Sequence, residues 1–183
     1  MNVFNSSEDL GHKHVKDYDS LAKVVDGLKQ LSYKVVVTIG TWDLLHIGHV
    51  RYLRNAKSRG DILVVGVDSD RTVKKYKGEL RPIVPYIERC EMLTYQTCVD
   101  LVVPIDDVDN KGNWQYGLIK KIRPNMFVAV EDSYSKRQIA DIKKYCKEVV
   151  VLPRQAEGTS TSTMIQYAVK NHLDQMYQLL NKR

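Results

Sequence analysis

The sequence predicts a single α/β domain, doubly wound (Rossmann-like), on a five-stranded, mainly parallel sheet. Three observations lead there. Five short apolar, β-branched runs alternate with segments of helical periodicity from one end of the chain to the other. The first run passes through a glycine into a helix carrying two histidines, which makes an anion site the first functional expectation. The 183 residues suit one well-buried domain at the usual size of roughly 150 residues.

Residues 1–18 mix Asn, Ser, Asp, His and Lys without periodicity and read as a flexible leader, with His12 and His14 solvated. The domain proper is expected over 19–183. A helix begins near Asp19 with Ser20 as its cap, because Leu21, Val24, Val25, Leu28 and Leu31 recur at three- and four-residue intervals. Residues 34–39 form the first strand, whose Val35-Val-Val37 core fits burial on both faces. Gly40 ends it, and a helix is read from Leu44 onward, its N-terminus near Gly40 and Thr41 and its apolar face on Leu45, Val50, Leu53 and Ala56.

Gly60 stops that helix, and Ile62–Val67 supplies the second strand, completing a right-handed βαβ unit. The polar, basic stretch from Asp68 to Pro85 reads as a loop or short helix over a site. Beyond it come a helix over 86–94, a strand over 101–105, a helix over 113–122, a strand over 126–130, a helix over 135–146 and a strand over 148–152. Gly158-Thr-Ser-Thr-Ser-Thr163 precedes a last helix running to Leu180.

Composition narrows the function classes. With 43% hydrophobic residues and 27% charged, the chain holds no apolar run near the roughly 18 residues that a membrane span requires. The first ten residues have no apolar core, so no secretory signal is read and a cytoplasmic location is expected. Cys90, Cys98 and Cys146 are few, scattered and odd in number, which suits neither a disulfide framework nor a zinc motif. The net charge of +6 is compatible with phosphorylated ligands, nucleic acid or an anionic surface. The lysines are scattered and no nucleic-acid motif is present, so no nucleic-acid partner is expected.

His46 and His49, three apart, share one face of a helix and can grip one ligand together. Gly48 between them costs roughly 1 kcal/mol of helix propensity, explicable if a ligand must approach the backbone there. The helix dipole disfavours imidazolium, whereas a bound polyphosphate favours it. No Glu or Cys at zinc spacing accompanies the pair, so no metal-ligating residue is assigned. Asp43 reads either as a helix N-cap or as an active-site group.

The segment Gly40-Thr-Trp-Asp-Leu-Leu-His-Ile-Gly-His49 resembles the GTFD/HxGH signature of the cytidylyltransferase-like nucleotidyltransferases. That family includes glycerol-3-phosphate cytidylyltransferase and the heptose-phosphate adenylyltransferases. Lys77-Gly-Glu-Leu-Arg-Pro82 resembles the KGxxRP segment of the latter, and Glu88-Arg89 stands where the family has an ER or HR pair. Arg154-Gln-Ala-Glu-Gly-Thr-Ser-Thr-Ser162 resembles the cytidylyltransferase RTEGIST segment with one extra residue.

The resemblance implies transfer of a nucleoside monophosphate from CTP or ATP onto a phosphorylated small molecule, such as glycerol phosphate or a sugar or heptose phosphate, with release of pyrophosphate. His46, His49 and Lys77 would then be catalytic. Thr38, Gly40, Thr41, Asp43, Gly48, Arg89, Arg154, Ser160 and Thr161 would bind nucleotide. Mg2+ would arrive with the triphosphate, and a homodimer is expected. A catalytically silent nucleotide-binding regulatory module is the alternative.

Overall fold

The structure, a computed structural model, describes residues 10–180. Five strands, β1 (Val35–Gly40), β2 (Ile62–Asp68), β3 (Leu101–Ile105), β4 (Met126–Val130) and β5 (Glu148–Leu152), form one sheet in the order β3-β2-β1-β4-β5. Every pairing is parallel, so the sheet is wholly rather than mainly parallel. The strand order reverses between β1 and β4, and the crevice at such a switch point is where doubly wound folds bind ligands.

The alternation of strand side chains assigns each residue to a layer. Val35 and Val37 join Val64, Val103 and Phe127 on one face, covered by α1 (Tyr18–Gln30) and by residues of the later helices α5 (Gly117–Ile122) and α6 (Lys136–Ile142). Val36, Leu63, Val65 and Val128 face the other way, under α2 (Ile47–Lys57) and α4 (Tyr86–Thr94). Two helices remain, α3 (Asp70–Lys77) and α7 (Thr161–Leu180). None of the described residues of α7 is buried, and no described helix is long and apolar enough to cross a membrane.

Local chemistry moves several expected boundaries. The cap of α1 is Asp17, which accepts the Ser20 amide at 2.8 Å, rather than Ser20 itself. Of the expected leader, residues 1–9 lie outside the described residues, but 10–15 are docked. Val15 donates to the Val102 carbonyl at 2.9 Å on the free edge of β3, and buried Lys13 donates to the Thr94 carbonyl at 3.0 Å. An edge strand offers unpaired backbone groups, which this segment satisfies. The basic stretch contains a true helix, α3, capped by Ser69. The helix expected over 113–122 begins only at Gly117, because Asp109 accepts the amides of Lys111 and Asn113 and folds the preceding residues into a loop.

Candidate active site

The turn after β1 sets the geometry. Trp42 and Leu44 take left-handed backbone conformations, with φ of 57° and 47°, which for non-glycine residues cost on the order of 1–3 kcal/mol each. Burial of the Trp42 ring and its indole bond to the Gly66 carbonyl at 2.9 Å hold the turn. Such a backbone cannot belong to a helix, so α2 starts at Ile47 and not near Leu44, and its N-terminus lies six residues beyond Thr41 in sequence.

Asp43 is therefore no helix cap. Its carboxylate is 1% exposed and reaches across to the segment before α4, accepting the amides of Ile83 and Val84, each at 2.9 Å, and the Arg81 Nε at 2.7 Å. Burial alone would raise its pKa, but those two amides and the Arg81 guanidinium outweigh it, and the carboxyl titrates below the usual range.

His46 takes the capping position instead. Its Nδ1 accepts the Gly48 amide at 3.2 Å, so the neutral ring carries its proton on Nε2. The rings of His46 and His49 stack with centroids 3.9 Å apart, and the Trp42 ring meets His49 edge-on at 5.5 Å. Burial, followed by the neighbouring His46 and Lys77, pushes the His49 pKa down to about 3, and burial lowers that of His46 too. The His49 Nδ1 is buried without a hydrogen-bond partner among the described residues. Gly48 is needed for close packing: a Cβ there would meet the His46 ring at 3.0 Å and the Ala156 Cβ at 3.1 Å. The close approach is thus by the 154–158 loop as well as by His46.

Around this pair opens a cleft of about 1580 Å³ lined by Gly40, Thr41, His46, Gly48, His49 and Lys77 among others. Lys77 ends α3 at its rim. Withdrawal from water and then the nearby Arg81 charge lower the Lys77 pKa. The N-terminus of α7 contributes Ser160 and Thr161 to the same cleft. The Ser160 Oγ accepts the Thr163 amide at 3.1 Å, capping the helix, while Thr161 donates its hydroxyl to the Asp43 carbonyl at 2.7 Å and ties α7 to the β1 turn. Arg154 lines the cleft from an exposed position, its Nε 3.5 Å from the Asp132 carboxylate.

Two expected site residues are not brought to the cleft surface. Thr38 lies in the core and bonds the Tyr52 hydroxyl at 2.7 Å, which in turn donates to the Val128 carbonyl. Arg89 is 1% exposed, and its guanidinium is consumed by the carbonyls of Val84 at 2.9 Å, Asp68 at 2.8 Å and Thr41, and by the Asp70 carboxylate at 2.7 Å. It braces the backbone beneath the site. The sequence reading missed Asp68, Tyr76 and Tyr134, which line the cleft, and read Trp114 chiefly as a core residue, which packs against the core and lines the cleft as well. The available signal for Asp68 was its place at the C-terminal end of a parallel strand.

A strand-order reversal, a strained turn feeding a histidine-capped helix, and cations lining one cleft define an α/β protein with its candidate site at the switch point. Comparison with known proteins makes the class specific. The cytidylyltransferase-like family model matches residues 37–172, and the chain belongs to that family of nucleotidyltransferase enzymes. It is 36% identical over 152 residues to the bifunctional protein HldE of Geobacter metallireducens, covering 82% of this chain and 30% of that protein. Identity with HldE of Helicobacter pylori is 38% over 154 residues, covering 84% of this chain and 31% of the relative.

The chain thus spans about three tenths of the length of these relatives. Among solved structures, the lipopolysaccharide core biosynthesis protein from Thermoplasma volcanium superposes with a TM-score of 0.55 at 24% identity, covering 68% of this chain and 98% of that one. Pantothenate synthetase from Thermus thermophilus superposes with a TM-score of 0.57 at 16% identity, covering 85% of this chain and 67% of that one. Both likenesses speak to the fold.

Proposed function

We propose that the protein transfers a nucleoside monophosphate from CTP or ATP to a phosphorylated small molecule, with a sugar phosphate favoured as acceptor, and releases pyrophosphate. The observation that carries this reading is the stacked His46–His49 pair lining one cleft together with Lys77 and the N-terminus of α7. The favoured acceptor rests on the likeness to HldE and on the resemblance of residues 77–82 to the heptose-phosphate adenylyltransferase segment. Glycerol phosphate and other phosphoalcohols stay within the panel to be tested.

An acceptor phosphate oxygen attacks the α-phosphorus in line, a new P–O bond forms, and the bond to the leaving pyrophosphate breaks. The protein's part is to hold two anions in register and to stabilise charge on the leaving group. His46, neutral with a proton on Nε2, is a hydrogen-bond donor to phosphate oxygen. His49 is kept neutral by burial, and an adjacent triphosphate favours its protonated, donating form. Lys77 supplies a fixed positive charge, Arg154 a second cation, and the first turn of α7 its free amides. A Mg2+ ion arriving with the triphosphate would supply further positive charge to offset that of the phosphates, as is common for this ion, and no side chain of this chain is assigned to hold it. The homodimer expected from the family resemblance and the cytoplasmic location expected from the sequence belong to the same proposal.

The test is a pyrophosphate-release screen crossing four nucleoside triphosphates with a panel of sugar phosphates and phosphoalcohols. Release with one pair well above all others supports the reading and names both substrates. Tight nucleotide binding with no release from any pair would instead support the silent regulatory module.

A further inference from the structure

Tyr76 precedes Lys77 in the last turn of α3, and its hydroxyl has an unusual setting for a residue whose side chain is half exposed. It donates to the Asp68 Oδ2 at the end of β2 and lies 2.6 Å from the Thr41 Oγ1 in the turn after β1. Tyr76 has a single proton, given to Asp68, so the Thr41 hydroxyl donates to the Tyr76 oxygen. Both partners are buried. The hydroxyl therefore bolts the C-terminal end of α3 to two neighbouring strand ends. On the same side chain the ring lies 5.7 Å from the Lys77 ammonium, within the reach of a cation–π contact.

The segment just beyond is fixed as well, by Asp43 through Arg81, Ile83 and Val84. Between these two anchors the backbone turns at Gly78, with φ of 92°, and Glu79 and Leu80 are exposed. The Lys77 charge already acts on His49, lowering its pKa, so the position of this ammonium matters to the histidine pair.

We propose that Tyr76 is a positioning residue: its hydroxyl, held by Thr41 and Asp68, and its ring together aim the Lys77 ammonium at the phosphates bound against His46 and His49. The inference rests on the nucleotidyl-transfer reading for the identity of the ligand. It adds a role for a side chain that need not touch that ligand. It also accounts for the Thr41 hydroxyl, which serves the helix bearing the lysine rather than standing free as a phosphate donor.

The test measures pyrophosphate affinity by calorimetry for the native chain, Tyr76→Phe, Lys77→Ala and the double variant, alongside thermal melting and, where turnover is found, kcat and KM. Tyr76→Phe keeps the ring and loses the bolt. It is expected to weaken pyrophosphate binding and lower kcat by about tenfold, the usual worth of one hydrogen bond that fixes a charged group. The same substitution made in Lys77→Ala is expected to change neither quantity further.

Equal effects of Tyr76→Phe with and without Lys77 would overturn the proposal, because Tyr76 would then act independently of the lysine. An unchanged affinity in Tyr76→Phe, or a native chain that does not bind pyrophosphate, would overturn it too. Coupled pyrophosphate binding without turnover for any substrate pair would leave the positioning role standing and count against the transfer reading alone.

Discussion

The rings of His46 and His49 come together as their spacing predicted, but not on one helix face, since His46 precedes the helix. Gly48 was read as a ligand's point of approach, and it is His46 and Ala156 that crowd it. The sequence could not show that His46 caps the helix or that its ring stacks on His49. Asp43 was legible as an important residue and not in its role, because its partners lie about forty residues away at Ile83 and Val84. Asp43→Ala should strand the buried end of Arg81 and two amides, destabilising the fold by roughly 3 kcal/mol. Chemical denaturation checks that loss. A pH prediction follows from His49. Its folded pKa, about 3, lies below the unfolded value near 6.5, so the unfolded chain binds the proton first. The His49 contribution is fully present above pH 6.5 and is lost as pH falls through that window, at up to about 1.4 kcal/mol per pH unit. Stability measured from pH 7 to 4 should fall less steeply in His49→Asn than in the native chain.

At the scale of elements, all five strands were readable as apolar runs bounded by turn residues. The inner ones are so because both faces of a parallel sheet are buried, while the edge strand β5 keeps its valines though partly exposed. Helix ends were less so. The start of α2 is delayed by the left-handed Trp42 and Leu44, a backbone choice that no side-chain pattern announces. The start of α5 is delayed by the Asp109 turn. In contrast, α7 carries its own start signal, since the Ser160 hydroxyl accepts the Thr163 amide and the Ser160 amide donates to the Thr163 hydroxyl oxygen at 2.8 Å. Ser160→Ala should cost about 1 kcal/mol of local helix stability. Faster hydrogen exchange at residues 161–164, with the sheet amides unchanged, is the expected signature.

Across the whole molecule, the alternation of strands and helices was enough to give the doubly wound class. The strand order β3-β2-β1-β4-β5 was not stated by the sequence, and it is what brings residues from five distant segments to one crevice. Arg89 shows the limit of reading function from motif position: it stands where a nucleotide ligand was expected, and the fold uses it to clamp the carbonyls of Thr41 and Asp68 from below. Tyr76 shows the converse, a residue outside every quoted motif that the topology places beside Thr41 and Asp68. The account converges on the stacked histidines as the phosphate-handling centre. Pyrophosphate release by His46→Ala and His49→Ala, measured with the best donor–acceptor pair, tests it most directly. Each variant should stay folded, His46→Ala giving up about 1 kcal/mol with its cap on α2 and His49→Ala showing lessened acid sensitivity. Each should lose roughly a hundred- to thousandfold in kcat, the usual loss for one preorganised donor. Folded variants that release pyrophosphate at the native rate would contradict it.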